Sequence, residues 1–277
     1  MTLADQQLAQ GVGGDFDVER RIEEALKEAM VAIAPHVGRT ISVEYKRGDD
    51  PVTEADRAVN LALQKTLLRD GEGWFSEETV DDFSRLEKER VWIVDPLDGT
   101  REFVAGIPEW CISVAMVENG RAIAGGICNP ATKEVFLGSA RMGLSYNGRP
   151  RRASQRASLD GAVILASRSE IKRGEWQKFQ GQSFEIRPTG SVAYKLAHVA
   201  AGLVDAMWTL CPKHEWDIAA GVALVLAAGG IVCTPDNSLL SFNNRNALLP
   251  GLIACGPGLN GPVARLLGLP VSGPSAV

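Results

Sequence analysis

The sequence predicts a mixed fold of the α+β / α/β class. Three observations carry this. Two amphipathic helical segments precede a meander of alternating apolar stretches, helices and strands interleave afterwards, and one apolar run, Val91 to Val94, leads straight into Asp95 and Asp98. Phe16, Ile22, Leu26, Met30 and Ile33 recur near helical spacing with charges between them, so residues 15–34 read as an amphipathic helix behind a mobile leader, residues 1–14. Residues 40–46 read as extended and lead into the loop KRGDDP. Thr53 then begins a second helix through about Leu68, with an acidic first turn.

Trp74 to Glu78 form a short apolar edge ending on two glutamates, and a charged linker, residues 81–90, delivers the chain to VWIVDPLDGTREF. Its apolar start reads as a buried parallel-type strand that ends at Asp95, opening a turn at a sheet's carboxyl edge. Residues 111–117 and 122–128 flank Glu118-Asn119-Gly120, a hairpin signal, and residues 133–138 and 143–146 continue the meander. Composition turns polar around 149–159, which divides the chain into residues 15–157 and 158–277. In the second part residues 162–166, 183–187, 204–210, 231–234 and 252–255 read as strands. Residues 169–179, 191–201 and 217–228 read as helices, the last stopping at Gly229-Gly230.

With 277 residues there is ample core, nearly half the composition is apolar, and no apolar run approaches membrane-spanning length. Net charge is −5 and the densest basic cluster is only Arg149, Arg151 and Arg152, which argues against a nucleic-acid polymer as partner. The first residues carry no signal-peptide pattern, so a cytoplasmic protein without a membrane partner is expected. Five cysteines lie far apart with no CxxC pair, and no HExxH occurs, so reduced, buried thiols are expected and a zinc site is not.

The acids are the informative residues. In the turn after Val94, Pro96 stiffens the bend, Gly99 lets a ligand approach the backbone and Thr100 can cap a helix whose N–H groups point at an anion. Asp95 and Asp98 would then face one small space, although a surface turn at Asp98-Gly99 and a cap at Asp95 would also use these residues. Asp56 lies three residues after Thr53, as a capping acid would, and Asp217 opens an apolar helix, where a cap is equally natural. Glu77 and Glu78 could be solvated. Yet Asp56, Glu77, Asp95, Asp98 and Asp217 all lie where apolar core gives way to loop, and a set of oxygen ligands suits Mg²⁺ or Mn²⁺. A water activated between two such ions suits phosphoryl transfer, and no P-loop or nucleophilic Cys or His motif competes with that reading.

PVTEAD with Asp56, SEE with Glu77, DPLDGT from Asp95 to Thr100, and WD with Asp217 together resemble the inositol monophosphatase superfamily of Mg²⁺-dependent, lithium-sensitive phosphatases, from about residue 18 to 256. The resemblance implies a layered αβαβα sugar-phosphatase fold, often a homodimer, acting on a small phosphorylated substrate. It implies that Glu77, Asp95 and the Leu97 carbonyl hold a first metal, Asp95, Asp98 and Asp217 a second, and Glu77 with waters a weaker third. Residues 15–157 would carry the metal-site loops, and residues 158–277 would supply Asp217 and the substrate rim. Thr100, bonded to Asp56, would orient the attacking water, the amides of Gly99 and Thr100 would cradle phosphate, and Lys46 would lie near the mouth on a candidate lid, residues 46–51.

Ser76-Glu77-Glu78 and Arg101-Glu102-Phe103 stand where inositol-specific members have GEE and TNF, and resemble the 3′(2′),5′-bisphosphate nucleotidase branch. Ser167-Arg168-Ser169, Gly190-Ser191 followed by Lys195, and Glu215-Trp216-Asp217 agree with that branch. A bisphosphate carries a second anion remote from the metals, which Arg168 or Lys195 would help bind. Inositol monophosphate, histidinol phosphate and fructose bisphosphate are the alternative esters, and a regulatory binding protein on the same fold is the alternative without chemistry.

Overall fold

A computed structural model describes residues 3–39, 43–45 and 51–270. Its outer layer is a helix pair, α1 (Leu3–Ile33) and, after the antiparallel strands β1 (Val43–Tyr45) and β2 (Pro51–Thr53), α2 (Glu54–Leu67). Helical backbone begins at Leu3 rather than Asp15, so the segment read as a leader continues into α1. Ile22, Leu26, Ala29 and Ile33 of α1 and Val59, Leu63 and Leu67 of α2 bury their stripes against Trp92, Val94, Val114 and Met116 of a sheet. Amphipathic spacing thus sets which face of each helix docks.

That sheet has seven strands in sequence order, β3 (Gly73–Ser76), β4 (Arg90–Asp98), then past the short helix α3 (Thr100–Val104) β5 (Cys111–Glu118), β6 (Arg121–Asn129), β7 (Glu134–Ser139), β8 (Gly143–Tyr146) and β9 (Arg149–Arg151). Only β3 and β4 pair in parallel; β4 meets β5 antiparallel. The expected parallel-type strand therefore has one parallel neighbour, and its uniform burial comes from helices on both faces. Between β3 and β4 the charged linker is folded, not solvated at its centre. Arg85, 1% exposed, lies over the Phe75 ring at 3.5 Å and donates to Asp81, Asn243 and the Asn244 carbonyl.

A second sheet of five strands is built from β10 (Val163–Ser167), β11 (Glu185–Thr189) and β12 (Ala206–Thr209), with β14 (Ile231–Cys233) and β16 (Leu252–Cys255), in the order β11-β10-β12-β16-β14. The intervening elements are α4 (Arg168–Lys172), α5 (Val192–Ala200), β13 (Lys213–His214), α6 (Glu215–Ala227) and β15 (Leu248–Leu249), and α7 (Asn260–Leu267) follows. α5 and α6 fill the middle layer: Leu196, Ala197, Ile218 and Val222 share one core with Ala115, Ile127 and Phe136 of the first sheet and Leu165, Met207 and Ala254 of the second. Their packing is close enough that a side-chain carbon on Gly221 would come within 2.4 Å of Leu196. Trp176, Phe179, Leu259 and Val263 close the far face over Trp208. The five layers are the expected αβαβα order. The helix expected over 169–179 is broken into α4 and a 3-10 turn, Gln177–Phe179, around the left-handed Gly174 (φ 81), and α7 was not anticipated. Four cysteines are buried, whereas Cys211 is half-buried beside Glu175 at 3.2 Å.

A candidate metal-dependent active site

The two aspartates of the opening motif share a space because the strand carrying them is irregular. Asp95 pairs with Ser113 and Asp98 with Cys111, so three steps on β4 oppose two on β5. In a regular strand residues three apart point to opposite faces; one extra residue reverses the parity and turns both acids the same way. β4 therefore runs on to Asp98 instead of stopping at Asp95, and Pro96, which has no N–H to donate, falls inside the irregular stretch. The chain then reverses at Gly99 (φ 95), where a side-chain carbon would press within 3.0 Å of the Glu109 carbonyl.

A cavity of about 290 Å³ opens there, lined by Glu77, Asp95, Leu97, Asp98, Gly99, Thr100 and Asp217 among others. Asp217 arrives from the first turn of α6 and Glu77 from just beyond β3. Each aspartate spends one oxygen on a backbone N–H: Asp95 accepts from Leu97 N (2.9 Å), Asp98 from Ala193 N (2.6 Å) and Asp217 from His214 N (3.1 Å). The capping role foreseen for Asp217 is thus real and uses only half of the carboxylate. Asp98 also takes the Ser191 hydroxyl on the same Oδ2, at 2.6 Å. One carboxylate oxygen from each of Asp95, Asp98 and Asp217 lies within 4.8 Å of the other two. Burial, then the charges of Glu77, Asp98 and Asp217, push Asp95 well above the usual carboxylate range; enclosure and the charges of Asp98 and Glu77 do the same to Asp217. Burial raises Asp98 as well, against the bonds from Ser191 and Ala193. Crowded carboxylates whose second oxygens meet no proton donor among the described residues are a donor set for hard divalent cations, and the residues fit that group.

Thr100 does not cap α3, whose N-cap is Gly99 without a side-chain bond. Its hydroxyl turns to the Leu97 carbonyl at 3.0 Å and to Asp56 Oδ1 at 3.3 Å. Asp56 is divided in the same way as Asp217: Oδ2 accepts from the backbone N–H and hydroxyl of Thr53, both at 2.7 Å, and Oδ1 is left for Thr100. Buried Asp56 meets the cavity lining through Thr100. A hydroxyl has one proton, so with that proton given to Asp56 the Thr100 oxygen would have a lone pair for a water in the cavity and could orient it. Divalent cations, if held by these carboxylates, would supply Lewis-acid chemistry at this corner of the cavity. Gly99 and Thr100 line the same cavity.

The rim is assembled by long-range ion pairs. Glu109 accepts two bonds from Arg168, both 2.6 Å, and one from the Gly190 N–H at 2.7 Å; although burial opposes it, these bonds hold Glu109 below the usual range. Lys195, buried in α5, donates to the carbonyls of Ser191 (2.8 Å), Thr189 (3.3 Å) and Gly190 (3.4 Å), and burial pushes its ammonium down to about 8. Its charge borders the cavity while its hydrogens tie down the 189–191 loop. Ser191 is held left-handed (φ 49) there, with its hydroxyl on Asp98. Gly190 leaves room for Glu102, whose Cγ would be 2.5 Å from an added side-chain carbon. Lys46 and most of the candidate lid, residues 46–50, fall outside the described residues. The sequence reading missed Lys213, Ser167 and Ser169 as lining residues, and Glu109 and Glu170 as the partners that hold Arg168 and Lys213. A basic residue four positions before a candidate ligand was the available signal for Lys213.

The inositol monophosphatase family pattern matches residues 17–265, which takes in every residue of this site. The inositol-1-monophosphatase of Mesorhizobium japonicum is 34% identical over 81% of this chain and 91% of its own length. The fructose-1,6-bisphosphatase/inositol-1-monophosphatase of Thermotoga maritima is 37% identical over 71% of this chain and 77% of its own. Among solved structures, the extragenic suppressor protein suhB from Bartonella henselae superposes with a TM-score of 0.78 at 29% identity, covering 91% of this chain and 98% of that one. Both large sheets and the acidic cavity fall within one matched span, and the chain belongs to the inositol monophosphatase family.

Proposed function

We propose that the protein is a Mg²⁺-dependent phosphomonoesterase whose preferred substrate is a 3′(2′),5′-bisphosphate nucleotide, adenosine 3′,5′-bisphosphate being cleaved to AMP and phosphate. The observation that carries the choice of ester is that Arg101 and Glu102, the residues that set this motif apart from inositol-specific relatives, both line the cavity. Cationic Lys195 and Lys213 border it too, which suits a substrate with more negative charge than a monoester. Thr100 with Asp56 orients the water, Asp95, Asp98, Asp217, Glu77 and the Leu97 carbonyl hold two to three Mg²⁺ or Mn²⁺ ions, and the Gly99 and Thr100 amides receive the phosphate. A homodimer in the cytoplasm belongs to the same reading. Inositol 1-phosphate is the second candidate, favoured by the name of the Mesorhizobium relative. A binding protein without chemistry would have no use for Thr100 aimed from Asp56.

The deciding experiment measures kcat/KM for adenosine 3′,5′-bisphosphate and for inositol 1-phosphate with Mg²⁺ and with Mn²⁺. A preference of about tenfold or more for the nucleotide is expected, and a preference for the inositol ester overturns the branch assignment. Absence of metal-dependent phosphate release from either ester overturns the enzymatic reading.

A further inference from the structure

We infer that Lys213, anchored by the buried carboxylate of Glu170, receives the second anionic group of a bisphosphate substrate, the one that is not cleaved. This rests on the bisphosphate reading above and names the residue that would distinguish such an ester from a monoester. Lys213 sits on β13, which pairs with β15 at Leu249, and lines the same cavity as Asp98 and Asp217. It is mostly covered, at 16% side-chain exposure.

Donor accounting favours it over Lys195 and Arg168. An ammonium has three hydrogens to give. Those of Lys195 go to three backbone carbonyls, and the guanidinium of Arg168 is held at two points by Glu109. Lys213 has one acceptor among the described residues, Glu170 Oε1 at 3.4 Å. Two hydrogens therefore remain for an anion in the cavity.

Glu170 explains why the ammonium stays put. It is 2% exposed and accepts from the Thr209 hydroxyl and from Trp176 Nε1 at 3.2 Å. A carboxylate buried that deeply costs stability unless it is paired, and its charged partner is Lys213. The next residue back, Ser169, lines the cavity with Ser167, and their hydroxyls are 2.9 Å apart. Cation and hydroxyls thus come to one rim, the combination a phosphate takes. A phosphate on the metal side has its charge neutralised by the cations there. A second phosphate has no such partner, so a Lys213 contact discriminates bisphosphate from monophosphate.

The test is a ratio: kcat/KM for adenosine 3′,5′-bisphosphate divided by kcat/KM for adenosine 3′-monophosphate, in the wild type, Lys213→Met and Lys213→Arg. Loss of one charge-assisted contact is expected to lower the ratio about ten- to hundredfold in Lys213→Met, with most of it recovered in Lys213→Arg. A ratio unchanged by Lys213→Met, or an equal fall for both esters, overturns the proposal, the latter because Lys213 would then serve the cleaved phosphate. The same ratio with fructose 1,6-bisphosphate and fructose 1-phosphate keeps the test readable if the wild type prefers another ester. The nucleotide reading is judged by the wild type alone.

Discussion

Two acidic centres grip the first turns of α5 and resolve the same electrostatic problem in opposite ways. On one side Asp98, with Asp95 and Asp217 beside it, accepts from Ser191 and Ala193 on one oxygen and has no donor to the other among the described residues, in a crowd of like charges. On the other, Glu134 of β7 accepts from Tyr194, from Tyr146 at 2.9 Å and from Thr132 at 2.6 Å, with His198 Nε2 at 3.5 Å. The aspartates are pushed up and Glu134 is held down at about 2. Both are carboxylates in partly dry surroundings, so burial alone does not separate a site from a scaffold. Unmet bonding capacity does: the frustrated centre is where a ligand completes the structure, and the satisfied one is where the structure is already complete.

The largest effect should come from Asp98→Asn. It removes one charge from the frustrated centre while leaving a carbonyl for Ser191 or Ala193. Turnover should fall on the order of 10²–10³-fold, and the rise in melting temperature on adding Mg²⁺ should shrink with it. Near-normal turnover at saturating Mg²⁺ would remove Asp98 from the metal set. Next comes Thr100→Val, which keeps the shape and deletes the hydroxyl between Leu97 and Asp56. A loss of about 10²-fold in kcat with KM little changed is expected, while the Mg²⁺-induced melting shift persists. If that shift vanished as well, Thr100 would be a support for the metal centre rather than the residue that aims the water.

These contrasts also explain what could be read from the residues in advance. The acids that line the cavity were legible as a group because each borders an element end, as Glu77 does after β3 and Asp217 in the first turn of α6. The bulge was not, since spacing alone would send Asp95 and Asp98 to opposite faces and only the pairing with β5 restores them. Asp56 and Asp217 looked like caps and are caps, each with one oxygen to spare. The rim was least legible. Arg168 meets a partner 59 positions away, and Lys195 bonds to carbonyls, so no local pattern tells a ligand-facing cation from one already engaged. Short α7 escaped because its Gly261 and Pro262 break the helical pattern, although Val263 and Ala264 bury well against the second sheet.

Glu134→Gln gives the smallest effect on activity and tests the comparison from its other side. Burial works to raise the Glu134 carboxyl, but bonds from His198, Thr132 and Tyr194 outweigh it and bring it from the ordinary 4.5 to about 2. A carboxyl that ionises more readily in the folded chain than in the unfolded one stabilises the fold fully above its unfolded value. That contribution is lost as pH falls toward the folded value. The glutamine has no such titration, and it also offers one acceptor where Tyr146, Tyr194 and Thr132 converge. At neutral pH it should cost about 1–2 kcal/mol, the linkage being discounted for partial solvent screening. Turnover at saturating Mg²⁺ should stay within about threefold, because α5 keeps its other anchor at Asp98. The gap in melting temperature between wild type and Glu134→Gln should be widest above pH 4.5 and close as pH falls toward 2, read at fixed ionic strength. A gap that stayed constant over that range would mean that Glu134 acts by shape alone, and charge satisfaction would no longer be what separates the two centres.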